Sequence, residues 1–313
     1  MIIIKYCGGL GNQMFQNALQ FVLENRYPDI TIKADTRHYW MLEEHNGFEI
    51  EDIFGISLTH ASTQEIKSMN PQFVPTPALQ KLPYGIRYKI AHDWQHKYNF
   101  IKRILCKSRR MKLIGGYCHN CYNDLVLYLD TSKDWYLDGM WQNVRYYKGI
   151  EDQVRQHFKF KKEITDSVDL AVLEDIHKSK SVSVHVRRGD FVNSQFDICK
   201  KEYYLAAMKV IQDKVGEDVK YFFFSDDAEF VKKEFSFIEN KEIVVHDKTC
   251  SYIDMMMISH CKHNITSNST FSFWGAFLGC PENRVVVSPA FSIRDRRGSY
   301  EMSVPDNWTQ IKV

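Results

Sequence analysis

Between residues 181 and 289 the chain reads SVSVHV (181–186), EYYLAAMKVIQDKV (202–215), KYFFFS (220–225), DDAEFVKKEF (226–235), EIVVHD (242–247), SYIDMMMISHC (251–261), HNITS (263–267), STFSFWGAFLG (269–279) and RVVVSP (284–289). Short apolar runs rich in Val, Ile and Phe alternate with segments whose apolar residues recur at helical spacing. That rhythm predicts a doubly wound α/β domain on a parallel sheet. Ligands of such sheets bind outside the carboxyl ends of the strands. The residues that follow each strand are therefore the ones to read for chemistry.

Working outward, a helix carrying Val168, Leu170, Leu173 and Ile176 opens this half from about Ile164. At the other end of the chain, Ile2, Ile3 and Ile4 read as a buried strand. A glycine turn follows, then Met14, Phe15, Ala18, Leu19 and Val22 at helical spacing, then a strand over 30–33. That is a β-α-β unit, which implies a second parallel sheet. The stretch from Trp40 to Tyr147 is long, polar and aromatic, and yields no clear element. The expected fold class is thus α/β, with two Rossmann-like domains, residues 1–160 and 161–313, facing across a cleft.

The 313 residues correspond to about two domains at roughly 150 residues each. A hydrophobic share of 44% and a charged share of 26% belong to a globular protein and exclude disorder, collagen-like repeats and a coiled-coil rod. Lys and Arg number 41 against 39 Asp and Glu, a net charge of +2, so no global field points to nucleic acid. No apolar run reaches the ~18 residues of a membrane span, and the amino-terminal isoleucines are too few for a signal-peptide core. A cytoplasmic location with reduced thiols is expected for the eight cysteines. Cys118 and Cys121 form a lone C-x-x-C, a weak zinc signal without a second pair. One local feature stands apart. Lys97, Lys102, Arg103, Lys107, Arg109, Arg110 and Lys112 occur with no acidic residue among them. A solvated helix face is the plain reading of 97–112. Contact with anionic lipid head groups is the alternative, and ranks above nucleic acid because no nucleic-acid motif accompanies the run.

Four clusters carry candidate chemistry. Gly8-Gly9-Leu10-Gly11-Asn12-Gln13 joins the first strand to the first helix, where glycines permit a tight turn and close backbone approach, and a helix start favours an anion. A nicotinamide reading fails because Met14 stands at the third glycine position and Asp35 matches the ribose acid only loosely. His185-Val186-Arg187-Arg188-Gly189-Asp190 ends the strand SVSVHV. Strand alternation puts Val182, Val184 and Val186 on one face and His185 and Arg187 on the other. Adjacent arginines at a strand end suit phosphate oxygens, which the planar guanidinium grips in pairs. An ion pair with Asp190 or another carboxylate is the alternative. Ser267 to Ser272 meets another helix start, with Ser269 and Thr270 as natural caps and phosphate contacts. Ser225-Asp226-Asp227 offers either a cap or a ligand contact. The sequence has no Asp-x-Asp, the motif with which many sugar-nucleotide transferases hold a divalent metal.

GGLGNQMFQNA (8–18), GMWQNVRYY (139–147), HVRRGD (185–190), FFFSDDAEFV (222–231) and CKHNITSNSTFSFWGAFLG (261–279) together resemble bacterial α1,2-fucosyltransferases, glycosyltransferase family 11. The match runs from Cys7 to Trp308 and keeps the order of the motifs. The resemblance implies a GT-B fold, GDP-β-L-fucose as donor, a galactose-terminated glycan acceptor that can be lipid-linked, inversion at the anomeric carbon and no metal or other cofactor. The H-x-R-R-x-D pattern is shared with α1,6-fucosyltransferases and, more loosely, with protein O-fucosyltransferases. Carried over, Arg187 contacts the donor β-phosphate, Arg188 assists, and His185 lies near the nucleotide. Asp254, sixteen residues before Thr270, takes the guanine, and Asn12 in the glycine loop lies beside the fucose. Gly11, Gln13, Ser225, Asp226, Ser269, Thr270 and Phe271 complete the expected donor site. Arg187, Asp190 and His185 are the expected catalytic residues, with Asp190, Asp197 and His185 the candidates for the base. The sequence departs from the family at Phe196-Asp197-Ile198-Cys199, where many members carry His-Gly-Val-Cys.

Overall fold

The computed structural model describes residues 1–42, 45–69, 81–83, 85–86, 112–116, 122–279, 283–295 and 298–313. Cys118 and Cys121, and the basic run of 97–112 apart from the backbone of Lys112, lie outside the described residues. The chain divides into two compact units, Met1–Val154 and Arg155–Val313.

The first unit is built on four parallel strands: β1 (Ile2–Lys5), β2 (Ile32–Asp35), β3 (Lys112–Gly116) and β4 (Trp135–Gly139). Their order is β2-β1-β4-β3. Ile2, Ile3 and Ile4 are fully buried in β1. Helix α1 (Leu10–Arg26) packs Leu10, Met14, Phe15, Ala18, Leu19 and Leu23 inward. Short helices α2 (Arg37–Leu42), α3 (Ile50–Phe54) and α4 (Thr63–Met69) follow β2. Strand β4 escaped the sequence reading because its apolar run is interrupted by a charge, Asp138. Asp138 is 1% exposed and is paired to Lys5 at 3.2 Å. Asp35 is equally committed: Arg37 donates to it from Nε and Nη2, each at 2.8 Å, and Tyr136 donates at 2.8 Å. That leaves no carboxylate there for a ribose.

Helix α5 (Glu151–His157) spans the division between the units. The second unit begins with α6 (Ser167–Lys178), which exposes Val168 and Leu170 to solvent and buries Ile176. The helix read from these residues is present, but its amino-terminal apolar positions do not face the core. The sheet contains β5 (Ser181–Val186), β6 (Lys220–Ser225), β7 (Lys241–Val244), β8 (His263–Ile265), β9 (Val286–Pro289) and, beyond the hairpin strands β10 (Phe291–Asp295) and β11 (Gly298–Glu301), β12 (Thr309–Ile311). The six run parallel in the order β12-β9-β8-β5-β6-β7. In chain order that is a doubly wound sheet whose direction of winding reverses between β5 and β8.

Both faces of this sheet are covered, which is why its strands are continuously apolar. Val182, Val184, Val186, Tyr221 and Phe223 pack with Tyr203, Tyr204, Ala207, Met208 and Ile211 of α7 (Lys201–Val215), and with Val231 of α8 (Ala228–Glu234). Phe222 and Phe224 point the other way, to Ile253, Met256 and Met257 of α9 (Ser251–His260). Helix α10 (Thr270–Leu278) buries Phe273, Trp274 and Phe277, as its sequence predicts. The two units thus supply the pair of parallel-sheet α/β bodies that the expected fold class requires. Among the described residues, no helix is long and apolar enough to cross a membrane.

Candidate functional site

In a doubly wound sheet the crevice at the reversal point is where two adjacent loops diverge. Here those loops follow β5 and β8, and a hydrogen bond joins the end of β5 to the second of them: His185 Nδ1 lies 3.0 Å from Ser267 Oγ. His185 is 7% exposed, and its ring lies 5.5 Å from that of Phe271, tilted by 35°. Burial, and then the neighbouring Arg187 charge, push its pKa down to about 3. The imidazole is therefore neutral at physiological pH. A group held so far below neutrality is a weak proton acceptor, and in this structure His185 lines the crevice and bonds Ser267.

Arg187 and Arg188 are pinned by the loop after β6. Arg187 Nη1 pairs with Asp226 at 3.0 Å, and its Nη2 with Asp190 at 2.6 Å. The backbone N–H of Arg188 donates to Asp226 Oδ1 at 2.8 Å, its Nε donates to Asp227 at 3.0 Å, and its guanidinium lies 3.7 Å from the Phe230 ring centre. Asp226 thus grips both arginines at once. A Cβ on Gly189 would sit 2.6 Å from Asp226 Oδ2, so only glycine leaves room for that grip. The carboxylates differ in their hold. The Asp226 side chain is 17% exposed and fixed by two partners, whereas Asp190 is 61% exposed. An anion can take the Nη2 edge of Arg187 by displacing Asp190 while Asp226 keeps the guanidinium aimed.

Ser225 is spent on structure. Its hydroxyl donates to Val186 O at 2.8 Å and accepts from Asp227 N at 3.0 Å, tying the end of β5 to that of β6. Asp227 is the N-cap of α8, accepting from Phe230 N at 3.0 Å. The start of α10 is capped by Ser269, whose Oγ accepts from Phe271 N at 3.3 Å. Thr270 is the first residue of that helix, beside the His185–Ser267 link. Asn268 donates to Phe196 O at 2.9 Å and Ser292 O at 2.8 Å, fastening the 196–199 segment to the site. In that segment Asp197 pairs with Lys200 at 2.7 Å and accepts from Asn193 N at 3.1 Å. Burial opposes its ionisation, but these partners hold its carboxyl below the ordinary range. Asp254, in the first turn of α9, lies at its own station, bonded to His246. Among the described residues, no group of three His, Cys, Asp or Glu is placed to hold a metal ion.

The glycine loop belongs to the first unit. Gly8 has φ +80°, and a Cβ there would meet Asn12 Nδ2 at 2.4 Å. Asn12 Oδ1 accepts from Gln142 Nε2 at 2.7 Å, which fixes the asparagine amide. Gln142 follows Trp141, buried at φ +55°, at the end of β4. Gln13 is fully buried. Its amide donates to Gly47 O at 2.8 Å and Gly8 O at 3.2 Å, and its carbonyl accepts from Glu49 N at 2.8 Å. It builds the loop from beneath, with its amide bonded to three backbone groups. Gly11 lies buried in the first turn of α1.

The structure brings the expected residues His185, Arg187, Arg188, Asp190, Asp226, Ser269, Thr270 and Phe271 to the carboxyl ends of β5, β6 and β8. Sequence reasoning missed the bridging role of Ser267, the grip of Asp226 on both arginines, the fixing of Asn12 by Gln142, and His246. The last of these had a signal, a histidine at the carboxyl end of a strand.

A doubly wound domain with clustered arginines at its reversal point defines a class, proteins that bind a phosphorylated ligand such as a nucleotide. Comparison with known proteins narrows it. The family model "Glycosyl transferase family 11" matches residues 108–312. The chain is 26% identical to an alpha-1,2-colitosyltransferase of Escherichia coli, covering 100% of this chain and 99% of that one. It is 29% identical to the O-antigen biosynthesis glycosyltransferase WbnK of Escherichia coli, covering 90% and 91%. Among solved structures it is similar to the fucosyltransferase NodZ from Bradyrhizobium, at 16% identity, 89% and 93% coverage and a TM-score of 0.46. The chain belongs to glycosyl transferase family 11. It is a glycosyltransferase, working with a nucleotide-sugar donor and a glycan acceptor.

Proposed function

We propose that the protein transfers L-fucose from GDP-β-L-fucose to the 2-OH of a galactose residue in a glycan, with inversion, during assembly of O-antigen or another surface polysaccharide. The observation that carries this reading is the pre-aimed guanidinium of Arg187, held by Asp226 at the end of β5, the strand whose His185 bonds Ser267 ahead of the capped start of α10. As the glycosidic bond breaks, positive charge builds on the sugar and negative charge on the β-phosphate. Arg187, assisted by Arg188 and by the helix start at Ser269 and Thr270, stabilises that leaving charge. Preorganised donors of this kind cost no reorganisation at the moment of reaction. With two arginines and a helix terminus available, the leaving group needs no divalent metal. The α1,2 linkage and the O-antigen setting draw support from the two Escherichia coli relatives, an alpha-1,2-colitosyltransferase and an O-antigen biosynthesis glycosyltransferase.

The acceptor hydroxyl must lose a proton. Asp190 is the base we favour. It is an exposed carboxylate that a phosphate would release from Arg187, whereas Asp197 is tied to Lys200 and Asn193, and His185 is held neutral by burial. An acceptor carried on lipid would also give the basic run of 97–112 a use, against anionic head groups.

A second reading changes only the donor sugar. The colitosyltransferase relative favours GDP-colitose, a sugar that lacks the 3-hydroxyl of fucose. The test is a donor panel of GDP-fucose, GDP-colitose and GDP-mannose with a galactoside acceptor, the product linkage being assigned by NMR. The proposal requires GDP-fucose to give the highest kcat/KM and an α1,2-linked product. Preference for another donor, or another linkage, refutes it.

A further inference from the structure

His246 follows β7 and stands between two carboxylates from different helices. Its Nδ1 lies 2.5 Å from Asp254 Oδ1, and its Nε2 lies 2.8 Å from Asp169 Oδ1. Asp254 is in the first turn of α9, and Asp169 in the first turn of α6. The three side chains are 10%, 20% and 14% exposed for His246, Asp254 and Asp169, so water does little to loosen them. Carboxylate oxygens only accept, so an imidazole bonded to one through each nitrogen donates from both and carries a charge. In keeping with this, the hydrogen bond His246 donates to Asp254, opposed by burial and helped by Asp169, raises the His246 pKa to about 9.

The consequence falls on Asp254. Burial pushes its carboxyl up from the ordinary range, and the imidazolium opposes that push. One oxygen is held by His246. The other has no hydrogen-bond partner among the described residues. A carboxylate has about four acceptor positions, so an oriented pair of oxygens remains for a ligand with two parallel N–H donors. Guanine presents that pair on its N1 and N2 edge. Hypoxanthine keeps only the first.

We propose that His246, anchored by Asp169, is a positioning residue that orients the Asp254 carboxylate toward the two N–H donors of guanine, so that Asp169, His246 and Asp254 form one base-specificity element. The inference rests on reading Asp254 as the guanine contact, and the experiment separates the two.

GDP and IDP differ only in the 2-amino group, and calorimetric titration of each into the full chain reads that group directly. A hydrogen bond to a charged partner corresponds to about a tenfold or larger preference for GDP in the native protein. His246→Leu and Asp169→Asn are expected to weaken GDP more than IDP, bringing the ratio down to about threefold or less in the first and part of the way in the second. Turnover at saturating donor stays within about threefold of native, and thermal melts confirm folding. Asp169→Asn guards against misfolding of the leucine variant. If Asp254→Asn leaves the ratio unchanged, the guanine reading of Asp254 fails and the inference falls with it. If Asp254→Asn collapses the ratio while both other variants preserve it, the inference alone is overturned. Lost turnover with an unchanged ratio in the His246 variant also overturns it.

Discussion

Replacing Arg187 by alanine separates chemistry from folding more cleanly than any other single change. The side chain is 30% exposed and bonds two carboxylates, Asp190 and Asp226. Asp190 is well exposed and loses nothing essential. Asp226 keeps the backbone N–H of Arg188 at 2.8 Å. The folding cost is therefore that of a partly solvated ion pair, about 1 kcal/mol, which lowers the melting temperature by roughly 2–4 °C in a chain of this size. The catalytic cost is larger. Removing a preorganised donor from a developing anion costs about 3 kcal/mol, or a hundredfold to a thousandfold in kcat. Arg187→Lys keeps the charge but loses the planar fork, and should fall between the two, at roughly a tenth of native turnover or less. The assay is steady-state release of GDP from GDP-fucose with a galactoside acceptor, together with GDP affinity and a thermal melt. A folded Arg187→Ala enzyme with turnover within threefold of native would refute the assignment of the phosphate contact.

Asp190→Asn tests the base. Lost turnover with unchanged GDP affinity supports a proton-accepting role, and native turnover excludes it. Gly189→Ala places a methyl 2.6 Å from Asp226 Oδ2. Donor KM should rise several-fold with little change in the melt, and an unchanged KM would show that the Asp226 grip does not matter. Gly275→Ala sets a methyl 2.6 Å from Ile258 Cγ2 where α10 meets α9, and calorimetric melting should show about 1–3 kcal/mol of overpacking. His185 is buried with its pKa lowered to about 3. The unfolded chain therefore binds a proton below about pH 6.5 that the fold refuses. Its stabilising share is present above that pH and is lost as pH falls toward 3, at up to about 1.4 kcal/mol per pH unit. Denaturant midpoints from pH 7 to pH 4 should fall less steeply for His185→Phe than for the native protein, and parallel slopes would contradict the buried, neutral histidine.

Much of the second unit was legible because its strands are buried on both faces. SVSVHV and KYFFFS match β5 and β6 residue for residue. Each strand ends where a polar cluster begins, and that is where a doubly wound sheet puts its ligand. Legibility failed where burial is polar. Asp138 in β4 reads as a loop residue until Lys5 is seen beside it. Gln13 reads as a ligand contact because a buried glutamine serving three backbone groups looks the same in sequence as one facing a substrate. The edge strand β12 is three residues long and carries no apolar run. The pairing of Asp226 with both arginines, and the Asp169–His246–Asp254 chain, join residues brought together only by the winding of the sheet.

The most direct test of the central claim is release of GDP from GDP-fucose, measured with and without lactose or N-acetyllactosamine, and with and without EDTA. The expected result is acceptor-dependent release that EDTA leaves intact. Abolition by EDTA with restoration by a divalent metal would contradict the metal-free mechanism, and a chain that neither releases nor binds GDP would contradict the donor site built on Arg187, Asp254 and Thr270.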